Sequence, residues 1–445
     1  MRLLCWNTNG IAATARAAAL AHDKGGLAAF FASLHLDLVC LQETKLTPAK
    51  LTEELARPRA SPTVPPWDSA WAFSQARQGY SGVATYAVPA WTPLAPPVPD
   101  GLPDVDPARF AVAARVPLVS GDSDAPDEPA LWPSPPRGGG TGPGVGAGGG
   151  APAALAAPDD EHRPRPAYAY EGRSLETDHG AFVLLNLYAP NAGDRERDGG
   201  ARAALKTAFL TAVRGRVDAL LAAGRQVIVV GDFNVAATPD DVATSIGWDG
   251  LWSVAEADAL AHLTAPPMVD AWRATHPGVS SATAPRGERG FTVWDERTGA
   301  RARDAGLRID FCLVSEGLMA GADGGGGMTC EVGGLAWSDH DGLVLDLPGV
   351  GPPPPTGRPA PPGMQSVDPR WKPAGGSVKA LFSKAAAQKR AAAGEEGGGE
   401  GGPQAKKAAG GPGPPPLPPL PLKAPSPAKG KGQPGIATFF APKQT

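Results

Sequence analysis

Polar side chains that can bind metal ions or phosphate stand where several short apolar runs of this chain end. Asn7 and Asn9 follow Leu-Leu-Cys-Trp, Glu43 follows Leu-Val-Cys-Leu-Gln, and Asp232 and Asn234 follow Val-Ile-Val-Val-Gly. Residues two apart in an extended chain point the same way, so Asn7 with Asn9, and Asp232 with Asn234, form pairs aimed at one side. These oxygen-rich pairs indicate a site for a hard cation or a phosphate group.

A second group of polar residues stands at or just before the start of its apolar run. Asp310 begins one such run, and Ser338-Asp339-His340 precede another. If these strands are antiparallel to the others, their first residues reach the same edge of the sheet. The sequence therefore predicts that all these groups meet at one edge.

Such a collection is typical of a metal-assisted hydrolase of phosphate esters. Mg²⁺ takes oxygen ligands, usually one or two carboxylates with water and substrate phosphate, so Glu43 and Asp339 are candidate ligands with Asn9 nearby. Mn²⁺ is the alternative ion. The wider candidate set for metal binding is Glu43, Asn9, Asp232, Asn234, Asp339 and His340.

The remaining chemistry needs an activated water and a charged partner for the phosphate. Asp232 and Asn234 can orient and deprotonate water for in-line attack. His340, whose ordinary pKa is about 6.5, can be held protonated by Asp310 and neutralise phosphate charge.

Two further polar residues can assist, and each candidate also has a purely structural interpretation. Tyr188 and Asn191 can donate hydrogen bonds to the phosphate or to the leaving oxygen. Taken alone, Glu43 is more often a turn residue and Tyr188 a core residue. Their joint presence at several strand ends favours catalysis.

Short strands and at least one long helix must position these groups. The spacing of Leu205, Phe209, Val213, Val217 and Leu221, followed by Gly224, predicts an amphipathic helix. A second helix is expected over 15–34, which Gly25 and Gly26 can break. The predicted strands are Leu3 to Trp6, Leu38 to Gln42, Gly82 to Val88, Phe182 to Tyr188, Val227 to Val230, Ile309 to Val314 and Leu343 to Leu347. Connection by both helices and loops favours a mixed-sheet α/β sandwich.

Composition divides the 445 residues into a folded body and two low-complexity segments. Glycine and proline number 58 and 51, about a quarter of the chain. We expect a folded domain over 1–348, a disordered insertion at about 92–166 and a disordered tail over 349–445. Within the insertion, only the apolar stretch from Phe110 to Val116 is suited to packing on the body. The four cysteines are far apart in sequence and are expected to be buried reduced thiols.

Charge and hydropathy exclude some classes of protein. Residues 1–348 hold 28 basic and 41 acidic side chains, whereas 349–445 carry a net charge of +9. An acidic body gives no electrostatic argument for nucleic acid, although it suits a carboxylate metal site. No run of 18 apolar residues and no signal-peptide pattern occurs, so we expect no membrane association.

Seven motifs resemble, in order, those of the exonuclease III-like AP endonucleases of the endonuclease/exonuclease/phosphatase superfamily. They are Trp6-Asn7-x-Asn9-Gly10-Ile11, Leu41-Gln42-Glu43-Thr44-Lys45, Gly79-Tyr80-Ser81-Gly82-Val83, Tyr188-x-Pro190-Asn191-Ala192-Gly193, Gly231-Asp232-Phe233-Asn234, Arg308-Ile309-Asp310-Phe311 and Ser338-Asp339-His340. The resemblance implies a four-layered α/β sandwich of two mixed sheets flanked by helices. It also implies Mg²⁺-dependent cleavage of double-stranded DNA 5′ to abasic sites in base excision repair, with 3′–5′ exonuclease and 3′-phosphodiesterase activity.

By matching motif, the resemblance also implies a role for each residue. Glu43 would be the main metal ligand, with Asp339 at the same site. Asp232 would activate water, with support from Asn234 and Asn7. His340 with Asp310 would contact the scissile phosphate, assisted by Tyr188 and Asn191. A pocket for the flipped abasic sugar would be lined by Phe291, Val293, Trp294 and Leu307, around Thr292.

Some positions depart from the best-known members of the family. Asn9 stands where many relatives have Asp, and Val293 and Leu307 replace pocket aromatics, which predicts weaker abasic-site cleavage relative to exonuclease activity. The Phe291 to Trp294 string is instead similar to the second, nuclear branch of eukaryotic AP endonucleases, so we expect a nuclear protein. That branch usually ends in a Cys-rich zinc module, which is not expected here because no cysteine follows Cys330.

The tail contains a segment similar to the box that docks on the sliding clamp PCNA. In 433–440, Gln433 is the anchor, and Ile436, Phe439 and Phe440 would form an apolar plug. Two adjacent phenylalanines can also occur by chance in a low-complexity tail. The eight-residue spacing and the scarcity of other aromatics there favour the clamp motif.

Two other functions stay open at this stage. A related phosphodiesterase acting on RNA or phosphoinositide would share the same catalytic groups. A catalytically inactive clamp-binding scaffold would share the tail. The segment from Tyr188 to Gly193 and the clamp-like tail favour a DNA repair nuclease.

Overall fold

The computed structural model describes residues 1–22, 25–61, 63–102, 166–193, 198–320, 327–335, 337–355, 357 and 359–371. Two six-stranded sheets face each other across an apolar layer, and helices cover their outer faces. The predicted four-layered α/β sandwich is confirmed.

The strands fall into two mixed sheets with related connectivity. The first sheet contains β1 (Arg2–Asn7), β2 (Leu38–Gln42), β3 (Asp68–Ala72), β4 (Val83–Ala87), β11 (Thr329–Val332) and β12 (Leu343–Asp346), in the order β11-β12-β1-β2-β4-β3. The second contains β5 (Val98–Pro99), β6 (Ser174–Asp178), β7 (Val183–Tyr188), β8 (Val227–Asp232), β9 (Met268–Asp270) and β10 (Asp310–Ser315), in the order β5-β6-β7-β8-β10-β9. Within each, one central pair is parallel, β1 with β2 and β7 with β8, and the other pairs are antiparallel.

The helices bury one face each against these sheets. They are α1 (Ile11–Ala21), α2 (Gly26–Ser33), α3 (Glu53–Ala56), α4 (Ala201–Ala222), α5 (Val254–Thr264), α6 (Ala271–Thr275) and α7 (Glu316–Ala320). The long α4 is the predicted amphipathic helix, and Phe209, Val213 and Val217 lie fully buried against the second sheet. The single helix expected over 15–34 is two helices, because the chain turns at Gly26, whose φ of +50° suits glycine.

All seven predicted strands are present, with ends shifted by a residue or two, but five others were not predicted. These are β3, β5, β6, β9 and β11. Their sequences, such as Asp-Ser-Ala-Trp-Ala and Ser-Leu-Glu-Thr-Asp, mix polar and small residues, and β5 and β9 are only two and three residues long. Pairing with neighbours, not local propensity, makes them strands.

The folded body extends beyond the predicted boundaries at both low-complexity segments. Within the predicted insertion, Val98–Pro99 pairs with β6, and the Asp100 carboxylate accepts hydrogen bonds from the backbone of Gly172, Arg173 and Ser174. Residues 92–102 therefore belong to the body. The stretch from Phe110 to Val116 lies outside the described residues.

Residues 349–355 and 359–371, predicted as the start of the tail, also pack on the body, and we call them the strap. Met364 in the strap is 1% exposed, and the Ser366 backbone N–H donates to Asp68 at the edge strand β3. Further along, Arg370 donates to the backbone oxygen of Pro48. The strap therefore packs against β3, the edge strand of the first sheet.

The four cysteines are free and buried, as predicted. All lie in the apolar layer between the two sheets, where burial raises the pKa of the Cys40 thiol well above its ordinary value. Among the described residues, no helix is long and apolar enough to cross a membrane.

Candidate active site

The predicted polar groups meet where the carboxyl ends of the parallel strands of the two sheets face each other. Asn7 ends β1, Tyr188 ends β7 and Asp232 ends β8, while Asp310 begins β10 directly opposite Asp232. The Asn7 side chain donates across the gap between the sheets to Asp232 Oδ2 at 2.9 Å. Because β10 and β12 run antiparallel to their neighbours, the structure brings the two predicted groups of residues to one edge, as the sequence indicated.

Asp232 is held by hydrogen bonds from three donors. Besides Asn7, the backbone N–H of Asn234 donates to Oδ1 at 2.8 Å and its side chain to Oδ2 at 3.2 Å. Asn191 donates to Asn234 Oδ1 at 3.1 Å, so the amide of Asn234 is itself oriented. Burial, followed by the charge of Asp310, raises the pKa of Asp232 to about 7. A carboxylate with this pKa is suited to accept a proton near neutral pH.

Asp310 and His340 form a buried ion pair beside this carboxylate. His340 Nδ1 lies 2.8 Å from Asp310 Oδ2, and its Nε2 lies 3.9 Å from Asp232 Oδ2. Burial alone would lower the pKa of His340, but the adjacent Asp310 carboxylate outweighs it and raises this pKa to about 10. The imidazole is therefore a cation at neutral pH.

The segment that carries His340 is fastened to β1. Trp6 Nε1 donates to the backbone oxygen of His340 at 3.0 Å, and Ser338 Oγ donates to the backbone oxygen of Asn7 at 2.8 Å. On the other side, His340 forms a backbone bridge with Val293. Contacts on two sides fix where the imidazole points.

Glu43, Asn9 and Asp339 lie at the more open part of the same edge. The Glu43 side chain is 12% exposed, and Tyr188 donates its hydroxyl proton to Glu43 Oε1 at 2.6 Å. Asn9 donates to Asp339 Oδ1 at 3.0 Å. Burial, with the Glu43 carboxylate, raises the pKa of Tyr188 well above its ordinary value, so this hydroxyl stays a donor.

This open part of the site has the chemistry of a cation-binding position. The Lys45 ammonium lies 3.4 Å from Glu43 Oε2 and donates to Asn9 Oδ1, so these oxygens converge on one positive group. Sequence reasoning did not single out Lys45, although it stands two residues after Glu43 in a quoted motif. A second group of atoms that could bind a metal lies deeper, on Asp232, Asp310 and His340. One such atom of each residue lies within 4.8 Å of the others.

The structure does not place the predicted pocket residues on the cleft surface. Val293 and Leu307 are fully buried and pair with each other through the backbone, while Phe291 and Trp294 are 2% and 6% exposed. Their side chains pack into apolar clusters because the pairing turns them inward. These four side chains therefore present little surface to the cleft, and their role in a pocket for the abasic sugar stays a prediction. Instead, the segment supports the site through Thr292, whose Oγ1 accepts the backbone N–H of Asp310 at 3.2 Å.

Arg173 is a second residue near the site that the sequence did not reveal. It is fully buried, its guanidinium lies 5.0 Å from the ring centroid of Tyr188, and it donates to the Tyr188 backbone oxygen at 3.1 Å. It also donates to the Tyr80 hydroxyl at 2.8 Å. Only Tyr80, within a quoted motif, was a signal for this cluster. The predicted clamp-docking residues Gln433, Ile436, Phe439 and Phe440 lie outside the described residues.

Comparison with known proteins agrees with this geometry. Residues 4–340 match the Endonuclease/Exonuclease/phosphatase family. The chain belongs to this family. The chain is 30% identical over 364 residues to the mouse (Mus musculus) protein named DNA-(apurinic or apyrimidinic site) endonuclease 2. The alignment covers 78% of this chain and 60% of the mouse protein. The chain is 26% identical over 359 residues to the Schizosaccharomyces pombe protein of the same name, covering 78% and 58%.

These matches confirm the resemblance to the second branch of AP endonucleases. The chain spans about 60% of the length of these curated relatives. Among solved structures, the Xenopus laevis APE2 catalytic domain has a TM-score of 0.57 and 23% identity, covering 83% of this chain and 98% of that domain. That likeness confirms the fold.

Proposed function

We propose that this protein is a DNA repair nuclease that cleaves double-stranded DNA 5′ to abasic sites and leaves a 3′-hydroxyl. The 3′–5′ exonuclease and 3′-phosphodiesterase activities and the role in base excision repair are part of this proposal. It is carried by one observation: the buried Asp232, Asp310 and His340 cluster stands beside the more open Glu43 and Asn9. The names of the relatives support DNA with abasic sites as the substrate.

The residues of the site suit a divalent cation, and Mg²⁺ is the proposed ion with Mn²⁺ as a substitute. Glu43 would be its main ligand, with Asn9 and Asp339 beside it, because the Glu43 and Asn9 oxygens already contact the ammonium of Lys45 and the Asn9 amide nitrogen donates to Asp339 Oδ1. When bound, the ion would neutralise charge on the phosphate that is cleaved. Asp232 and Asn234 are further candidate metal ligands, whereas His340 could bind the ion only after losing the proton that Asp310 holds on it.

Asp232 is the proposed general base. Its carboxylate would take a proton from water while the water oxygen attacks phosphorus. The bond from phosphorus to the 3′ oxygen breaks, and the 3′ oxygen keeps the electron pair and takes a proton from solvent to become the 3′-hydroxyl. Asn7 and Asn234 keep the carboxylate aimed during this step. The pKa of about 7 lets Asp232 accept this proton and release it again near neutral pH.

His340 and Tyr188 are the proposed donors to the phosphate. The His340 imidazolium, kept charged by Asp310, would stabilise the negative charge that gathers on the phosphate oxygens. Tyr188, with its raised pKa, and Asn191 would donate hydrogen bonds to the phosphate or to the leaving oxygen.

Cleavage assays on matched substrates test this proposal. We expect purified full-length protein with Mg²⁺ or Mn²⁺ to cut an abasic duplex and a 3′-recessed duplex. Glu43→Ala or Asp232→Asn should slow both reactions by several orders of magnitude, as is usual for a lost metal ligand or base. Glu331→Gln, a change at an exposed strand residue, is the control and should leave the rates unchanged.

The same assays separate the alternatives. Faster cleavage of single-stranded RNA or of a phosphoinositide vesicle than of either duplex would favour a different phosphodiesterase. If both DNA duplexes remain intact with either metal, the inactive scaffold is the better account.

We also propose that the tail docks on PCNA through residues 433–440 and that the protein acts in the nucleus. The support is the spacing of Gln433, Ile436, Phe439 and Phe440. Basic pairs such as Lys406-Lys407 could assist nuclear import, although pairs this short are more often simply solvated.

Phe439→Ala with Phe440→Ala should abolish capture by PCNA and leave cleavage of short duplexes unchanged. Leu381→Ala with Phe382→Ala is the matched tail control, and PCNA capture by the first variant would refute the docking proposal.

A further inference from the structure

A buried ion pair joins two helices behind the catalytic edge. Lys206 of α4 and Glu256 of α5 have side chains with no exposed surface, and Lys206 Nζ lies 2.8 Å from Glu256 Oε1. Removing two charges from water is costly, and apolar side chains at such positions often give equal or greater stability. General stability alone therefore does not explain why this pair is here.

The lysine of this pair contacts Asn234, the residue that orients the proposed general base Asp232. Lys206 Nζ donates to the backbone oxygen of Asn234 at 2.7 Å. Trp252 Nε1 donates to the same oxygen at 3.0 Å. One carbonyl thus accepts two hydrogen bonds from side chains that are themselves fixed.

Glu256 is held in turn by the start of its own helix. Its Oε2 accepts from the backbone N–H of Ser253 at 2.8 Å and from the Ser253 hydroxyl at 2.7 Å, completing a capping box. The carboxylate cannot rotate without breaking the cap. The position of Lys206 is therefore set by the end of α5 as well as by α4.

Asn234 has a backbone conformation that needs such support. Its φ is +54°, in the left-handed region, which asparagine enters more readily than other residues besides glycine but where the conformation still depends on local hydrogen bonds. In this conformation the Asn234 N–H and side-chain amide both face Asp232. If the carbonyl were released, the backbone could relax, and Asp232 would lose two of its donors.

We propose that Lys206, Glu256 and Trp252 form a clamp that holds the Asn234 peptide and thereby positions Asp232 for proton transfer. They are positioning residues, since their contacts reach the proposed base only through Asn234. The consequence for the reaction rests on the proposed function, whereas the clamp on the Asn234 peptide does not.

The test uses two changes that keep shape and remove donors. Lys206→Met with Glu256→Gln removes the charged pair, and glutamine retains the capping box of α5. Trp252→Phe removes only the indole donor. The matched control is Arg216→Met with Glu176→Gln, because Arg216 lies on the same helix and forms a two-bond ion pair with Glu176 on β6.

For the clamp variants we expect kcat on an abasic duplex with Mg²⁺ to fall about 10- to 100-fold, with KM changed less than about threefold. The control should show neither effect. Hydrogen exchange of the Asn234 backbone amide should be about tenfold faster or more in the clamp variants only. Thermal unfolding followed by circular dichroism identifies which variants fold. If Lys206→Met with Glu256→Gln does not fold, Trp252→Phe alone still tests the clamp.

The exchange measurement separates the two proposals. If the parent protein cuts no abasic duplex, the proposed function fails, yet faster exchange at Asn234 would still support the clamp. Unchanged exchange at Asn234 in folded Trp252→Phe and in the double variant would overturn the clamp. In an active parent, kcat within twofold of the parent value in those variants would overturn its role in catalysis.

Discussion

Replacement of Asp310 by Asn should lower the pKa of His340 and reduce the fraction of its imidazole that is charged at physiological pH. The substitution keeps size and removes the charge that lies 2.8 Å from Nδ1. The pKa of His340, about 10, exceeds its ordinary value of 6.5 by roughly 3.5 units, or about 5 kcal/mol of preference for the charged form. Burial favours the neutral imidazole, so the pKa of His340 in Asp310→Asn should fall well below its parent value, while the carboxylates of Asp232 and Asp339 still raise it.

The loss of charge should be visible in activity as a function of pH. In the parent, His340 stays protonated up to pH 9, and no loss of kcat/KM from this group is expected below that pH. In Asp310→Asn, the charged fraction of His340 at pH 7.5 should be smaller than in the parent, so kcat/KM on an abasic duplex should fall about tenfold or more. Lowering the pH returns the proton to His340 but also protonates the proposed base Asp232, so the kinetic profile is read together with the titration of the imidazole.

Nitrogen NMR of the imidazole, in parallel with the kinetic profile, tests the cause directly. Asp178→Asn is the control, because Asp178 pairs with Arg225 away from the site and should not alter the titration of His340. An imidazole that remains charged above pH 9 in Asp310→Asn would refute the account of its pKa. A titration that shifts as expected without loss of kcat/KM at pH 7.5 would show that the imidazolium is not required.

Three further changes test the fold. Burial lowers the pKa of His179 to about 4, compared with its ordinary value of 6.5. The neutral side chain therefore makes its full contribution to the free energy of unfolding above pH 6.5, and this contribution is lost as the pH falls towards 4. By urea unfolding, His179→Gln should reduce the difference in stability between pH 7 and pH 4.5 by about 2 to 3 kcal/mol, and an unchanged difference would exclude this cause. Gly231→Ala would place a Cβ 1.9 Å from the Leu187 backbone oxygen and should cost about 3 kcal/mol or more in the same assay; a loss under 1 kcal/mol would contradict the close approach of these strands. Asp68→Ala removes the acceptor for Ser366 and should speed proteolysis within the strap, whereas Glu53→Ala should not; equal rates would mean that Asp68 does not hold the strap.

The sequence was sufficient for the central strands and for which polar residues follow them. Strands such as Val227–Asp232 are apolar enough to be recognised locally, and a polar residue at a strand end must lie at the edge of its sheet. Residue type and spacing therefore determined that Asp232 and Asn234 belong together. Asn7, 225 residues away along the chain, was placed at the same edge by the end of its own strand, but its hydrogen bond to Asp232 was visible only in the structure.

Only the tertiary structure decided which other side chains support these groups and which way the neighbouring apolar residues face. Lys206 occupies an otherwise amphipathic helix and reads locally as a surface charge, yet it is fully buried against Glu256. Val293 and Leu307 read as pocket residues, yet their backbone pairing turns them into the core. Burial and orientation depend on contacts between residues distant in sequence, and a local pattern of residue types contains no information about such contacts.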